Sequence, residues 1–413
     1  MKYTIGLLAF ASAFAFTPQL CAQEVAFQVL HDFGSSRDAS IPYGPLMRDL
    51  SGNLYGVTVD GGSGQCSDYG CGAVFELSEN KGQWSEKILH SFAGAGDGSA
   101  PWGGLLHDGA GNIYGTLQGD LSVDVNGIFE LKPSNGTWNN ALLYTGVAGP
   151  GLVFDRTGNL FGDIGAGQYK LGAIGELSPG STGWAYTDLY SYCRAYCPDG
   201  TSEPAPPIRD SKGNLWGVTT YGGISGSPCS TTLGCGVIFE MTPNNNDGTW
   251  TYHVMHKFAS SANDGQQSYG SLVMDSAGNF YGSTWLGGRY NHGTIFKFSR
   301  SGGHWKETIL YDFPNCLFGC MTDGTLARDS VGNLYGTAAG GTNSCAGYSC
   351  GVVFKLAPQP GGTWKYSVLY DFSETSGGLQ PFYGVILDGK GHLFGVTSNF
   401  GKYGGGTAFE ITP

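Results

Sequence analysis

Charge is scarce in this chain. Asp, Glu, Lys and Arg make up 13% of its 413 residues, and the balance is acidic, with a net charge of −12. No basic run occurs, which argues against a nucleic-acid partner, because phosphate binding requires clustered Lys and Arg. No segment repeats apolar residues at helical spacing. Metalloprotease H-E-x-x-H, hydrolase G-x-S-x-G, phosphate-binding Gly loops and EF-hand D-x-D-x-D-G runs are all missing, and the eight His are scattered. Each absence removes a familiar route to catalysis or metal binding. The longest apolar stretch, Ile5–Phe16, is too short to span a bilayer. No transmembrane segment is therefore expected in the mature chain.

What is abundant is glycine, 71 residues, together with 13% aromatics and 40% hydrophobic residues overall. Low charge with high glycine suggests disorder, but the aromatic content argues for burial. The glycines fall at fixed places in a repeat. DLSGNLYG at 49–56 returns six more times, anchored by Asp49, Asp108, Asp155, Asp210, Asp275, Asp329 and Asp388 at spacings of 47 to 65 residues. Such a period marks an array of similar supersecondary units.

One unit predicts four short strands. Pro45–Arg48 leads into the Asp49 turn, where Gly52 and Asn53 reverse the chain and Asp49 is expected to accept local N–H bonds. Leu54–Thr58 is the second strand, Gly72–Leu77 the third, and Ser85–Phe92, after Trp84, the fourth. The last unit ends at Pro413 after its third strand, while VAFQVLHDF at 25–33 matches a fourth strand with Val25 in place of Trp. The fold expected is all-β, a single seven-bladed β-propeller of four-stranded blades over residues 23–413, its ring closed by the N-terminal strand.

Residues 1–22 have the form of a cleaved secretory signal: Lys2, the Ile5–Phe16 core, Pro18 and a small-residue site after Ala22. The other ten cysteines fall as five close pairs: Cys66 with Cys71, Cys193 with Cys197, Cys229 with Cys235, Cys316 with Cys320, and Cys345 with Cys350. In an exported chain these read as local disulfides; a metal-binding alternative lacks the two-residue gap usual for zinc. The expected location is the periplasm or the medium.

The D-x-x-G-N-L-Y-G turn, the G-T-[VI]-F-[EK]-L third strand and the W…LYDF fourth strand resemble the GloVer tandem-repeat family of exported bacterial β-propeller-like proteins. The resemblance spans essentially the whole mature chain. It implies a bacterial, exported propeller and brings no catalytic residues with it.

Function on such a scaffold belongs to the long, variable face, built from the loops between second and third strands and the connections between blades. All five cysteine pairs fall there. Six residues before the repeat Asp stand Tyr43, Trp102, Tyr269 and Phe382, placed to stack on sugar rings at the channel mouth or to pack between blades. In blade five, Trp285, Arg289, Tyr290 and His292 form the loop richest in functional groups. Eleven residues before the repeat Asp are Asp38, Asp97, Asp199 and Asp264, which read as turn residues; calcium is the conceivable cation, but no motif supports it and no cofactor is predicted. Arg48, Arg209 and Arg328, each preceding a repeat Asp, either line the channel or pair with acidic neighbours.

These features favour a secreted, non-catalytic binding or scaffold protein contacting glycans or surface polymers, expected to be monomeric. The alternatives are a polysaccharide lyase or glycosidase, which needs a converging acid/base set, and a structural envelope component.

Overall fold

The computed structural model describes residues 25–413 apart from short stretches at 36–37, 67–68, 95, 120–125, 193–197, 202–204, 228, 230–231, 245–247, 316–319, 321–323, 346–347 and 375–376. The signal-like residues 1–22 therefore lie outside the described residues. So do Cys193 and Cys197, both members of one expected disulfide, and Cys316, one member of another.

The described chain forms seven antiparallel four-stranded blades. In blade one Met47–Arg48, Leu54–Gly61, Ala73–Asn80 and Gln83–Ser91 run from the axis outward, and a further strand, Ala39–Pro42, also pairs with Leu54–Gly61. In blade seven, Ala26–Asp32 pairs with Thr407–Thr412, from Ala26 opposite Thr412 to Asp32 opposite Thr407. The first strand of the described chain thus completes the last blade and closes the ring. Innermost strands are shorter than the sequence suggests: in six blades they hold only two or three residues.

The repeated Asp organises each inner hairpin. In blade five Asp275 Oδ1 accepts the N–H groups of Ala277 and Asn279 at 2.9 Å, and Oδ2 accepts Asn279 Nδ2 and the Tyr281 hydroxyl. The closing Gly of the motif has a packing reason. A Cβ on Gly282 would stand 2.5 Å from the ring of Phe296 on the adjacent third strand. The ring occupies the space where a side chain would be.

There is no single core. Seven hydrophobic clusters lie in the seven wedges between adjacent blades. Except in blade two, where Gly146 holds the position, an aromatic follows each fourth strand; in four of these junctions it meets a Phe of the next blade, Phe33 with Phe75, Phe92 with Phe129, Phe258 with Phe296 and Phe313 with Phe354, at 4.9–5.9 Å between ring centres. These rings are fully buried, and each contributes roughly 1.5–3 kcal/mol of apolar transfer.

Candidate functional site

All seven blades contribute to one cavity of about 390 Å³ on the axis, at the long-loop face. Four of the residues singled out by register line it: Tyr43 of blade one, Trp102 of blade two, Tyr269 of blade five and Phe382 of blade seven. Tyr383 joins them, 5.0 Å from Tyr43 between ring centres. All five rings are half-buried, with part of their surface open. Between them stand Pro45, Pro150 and Pro206. The lining is therefore apolar and stiff, a surface complementary in shape to a flat apolar face.

Glycine brings these walls together. Gly103 follows Trp102 with φ +75°, and a Cβ there would lie 2.0 Å from the Pro150 carbonyl oxygen. Its N–H donates to the Tyr43 carbonyl at 2.8 Å. Neighbouring inner strands thus touch backbone to backbone. Trp285 stands behind the cavity wall, edge-on to Tyr269 at 5.6 Å.

Farther from the axis, the blade junctions divide into two kinds. Each fourth strand carries a bulge one turn of pleat before its end, with register shifts such as Val74/Phe75 and Ile295/Phe296. Period-two alternation would put Glu86 and His90 on the same face of their strand. The bulge at Leu89 reverses this, so His90 faces blade two while Glu86 faces blade seven. The same device makes the residue six after the Trp position of one blade meet the residue two after it in the next.

Four junctions fill this meeting point with stacked aromatics: Tyr370 on Phe27, Tyr144 near Tyr186, Tyr190 on Tyr252 and Tyr311 on Tyr366. The other three hold His. His31 Nε2 lies 3.2 Å from Asp38 Oδ2 and 3.8 Å from Glu86 Oε2. His256 Nε2 lies 3.3 Å from Asp264 Oδ2 and 3.5 Å from Glu307 Oε2. His90 is 3.0 Å from Asp97 Oδ2, and Asn140 donates its amide to Asp97 Oδ1 at 2.8 Å.

Burial, with the Asp38 carboxylate alongside, pushes Glu86 up to about 9. Glu307 is driven well above the usual carboxylate range by burial and by Asp264. Burial also opposes ionisation of Asp38, but hydrogen bonds from His31 and Glu86 outweigh it and hold Asp38 at about 2. Asp264 is lowered in the same way, with His256, Glu307 and Ser260 overcoming its burial. In each cluster the Asp is thus the carboxyl group more readily ionised and the Glu the one more readily protonated.

The profile of the Gloeobacter/Verrucomicrobia repeat matches residues 10–231 and 228–413. The chain belongs to this family. No curated relative matches it. Among solved structures, a fungal alcohol oxidase of the AA5 family, in complex with copper, superposes with a TM-score of 0.53 at 14% identity, covering 94% of this chain and 76% of the other. A candidate 6-phosphogluconolactonase from Bacteroides uniformis gives 0.49 at 14% identity, covering 81% of this chain and 86% of the other. At such identities the likeness to the oxidase is one of fold alone.

In this repeat-family propeller, the three expected cysteine pairs that lie wholly among the described residues are closed: Cys66–Cys71, Cys229–Cys235 and Cys345–Cys350. Cys320 is also disulfide-bonded and buried. The expected bridge from Cys193 to Cys197 falls wholly outside the described residues and stays an expectation of the sequence. The closed bonds mark an oxidising compartment, extracellular or periplasmic. Cys71, Cys229, Cys235, Cys345 and Cys350 are buried and belong to the inter-blade clusters, so the staples also extend those cores toward the long-loop face.

Arg289, Tyr290 and His292 do not line the axial cavity. Arg289 packs over the Tyr290 ring at 5.5 Å and its N–H donates to Asp312, while Tyr290 is exposed. Arg48 and Arg328 also turn away from the axial cavity, lying over Phe394 and Tyr281 of the preceding blades. The four Asp that precede the repeat motif stand at separate junctions; Asp199 accepts the Tyr190 hydroxyl, and the other three meet His. The His junctions escaped the sequence because the partners sit on different blades. Their signal was available: His31, His90 and His256 share one register, six residues after the Trp position.

Proposed function

We propose that this protein is an exported binding or scaffold protein that takes a ligand with a flat apolar face, a sugar ring of a glycan or surface polymer, into the axial cavity. The supporting observation is the convergence of Tyr43, Trp102, Tyr269, Phe382 and Tyr383 from four blades on one cavity of about 390 Å³. A pyranose presents C–H groups on one face and hydroxyls at its edge. Stacked on Trp102 or Tyr269 it would cover the exposed part of the ring and keep its hydroxyls toward water.

Among the described residues lining the cavity, the polar side chains are the Tyr hydroxyls, the Trp102 indole and Thr325. This set suits positioning a neutral ligand better than paired carboxylate chemistry. The test is a glycan panel against the mature protein, followed by titration of any hit against wild type, Trp102→Ala and Tyr269→Ala. Binding lost in both variants with an unchanged thermal midpoint supports the proposal. Retained binding in both places the site elsewhere, and release of new reducing or unsaturated ends would convert the reading to the enzyme alternative.

A further inference from the structure

We propose that the His31–Asp38–Glu86 and His256–Asp264–Glu307 clusters are two equivalent divalent-cation sites of the zinc class, clasping blade seven to blade one and blade four to blade five. The donor atoms of each cluster lie within 4.8 Å of one another. Zinc bonds to imidazole nitrogen and carboxylate oxygen are about 2.0–2.2 Å, so a tetrahedral site spaces its ligands by roughly 3.3–3.6 Å. The separations here are 3.2 and 3.8 Å in one cluster and 3.3 and 3.5 Å in the other. The imidazole nitrogen and each carboxylate are thus spaced much as ligands around a small cation, and the two carboxylates lie within 4.8 Å of each other.

A second observation comes from the glutamates. The Glu307 side chain is only 8% exposed, and its Oε1 is buried with no hydrogen-bond partner; the Oε1 of Glu86 is in the same condition. An unmet carboxyl oxygen is costly in the interior, and a cation held by both oxygens of the Glu, Oε1 with the Oε2 that faces the His, would remove that cost. One imidazole and two carboxylates suit zinc, whereas calcium takes six to eight oxygens. Asp38 also lines a cavity of about 660 Å³ bounded by Gly61, Gly62 and Gln65, which gives solvent a path to the first cluster.

The third His junction shows what replaces the cation. Asn140 stands where Glu86 and Glu307 stand in the other two, and its amide N–H reaches Asp97 at 2.8 Å. A fixed donor does there what the cation would do elsewhere. The competing occupant of the Glu clusters is a proton shared between the two carboxyl groups.

Cobalt and zinc titration of the chelator-treated, full-length mature protein separates these occupants. Two equivalents of tetrahedral cobalt, displaced by zinc and accompanied by a higher thermal midpoint, are expected for wild type. His31→Ala and His256→Ala should each bind one equivalent. Asn140→Glu should bind three, a gain that misfolding does not produce. Glu307→Gln copies the shape of a neutral Glu: under the proposal it loses one equivalent. Absence of cobalt and zinc uptake by wild type, or uptake that neither His variant reduces, overturns the proposal in favour of the shared proton.

Discussion

The two faces of this propeller are written differently. On the short-turn face the same Asp turn is made seven times, with Asn or His four residues later taking its carboxylate's bonds. At the axis of the long-loop face the blades supply different residues: Tyr43 and Pro45, Trp102, Pro150, Ala205 and Pro206, Tyr269, Thr325, and Phe382 with Tyr383. Repetition reflects a demand that each blade must meet by itself, the reversal of a hairpin. Variation occurs where seven blades share one space and each needs to supply only a part. The repeated motif is thus informative about scaffold, and departures from it are informative about ligand.

That contrast can be broken by substitution. The largest effect should come from the wedges that both faces share. Phe296→Ala removes a fully buried ring packed over Gly282 and against Phe258, and should cost about 3–5 kcal/mol in denaturant unfolding. At the axis, Trp102→Ala should leave stability nearly unchanged but weaken glycan binding by about 2 kcal/mol, some 30-fold, by calorimetric titration. If it unfolds the protein instead, the ring belongs to the scaffold and the contrast between the faces collapses.

On the short-turn face, Asp275→Ala deletes four hydrogen bonds and should cost about 1–2 kcal/mol without touching binding. Acid probes all such turns together. Burial tends to raise Asp108, Asp155, Asp275, Asp329 and Asp388, but bonds donated chiefly by the turn's own N–H groups outweigh it and hold all five below the usual carboxylate range. Their stabilisation is complete above the unfolded-state value of about 4 and is lost as pH falls through the folded values. Thermal midpoints should therefore decline below that pH, and less so in Asp275→Ala. The smallest effect is expected at the exposed loop tip: Tyr290→Ala should change stability by less than about 0.5 kcal/mol and leave titrations unaltered.

Much of the fold was readable because the motif kept time. Once Asp49 and its copies set the register, Tyr43, Trp102, Tyr269 and Phe382 shared one position in their blades, and in those four blades that position opens on the axis. The blade-five loop follows a different rule: Arg289 and Tyr290 are rich in functional groups but do not line the axial cavity, while Trp285 stands edge-on to Tyr269 behind its wall. The His junctions were hidden by geometry. Alternation assigns Glu86 and His90 to one partner blade, and only the bulge at Leu89, which leaves no mark in composition, sends them to different ones.

Closure of the ring by Ala26–Asp32 has a consequence for how the chain is made. This strand precedes the other strands of the ring in the chain, yet its partner, Thr407–Thr412, is the ring's last. Contacts across the seam, such as Lys402 N–H to Asp32 and Ser398 to the Pro42 carbonyl, span 370 and 356 residues. Blades one to six can form as they emerge, but the seam waits for Thr407–Thr412, a delay that its extreme contact order makes long. A product cut short before Thr407 would leave Ala26–Asp32 as a bare edge, open to proteases and to pairing with another chain. The closing strand therefore acts as a test of length: only a chain that reaches Thr412 can cover the edge of Ala26–Asp32.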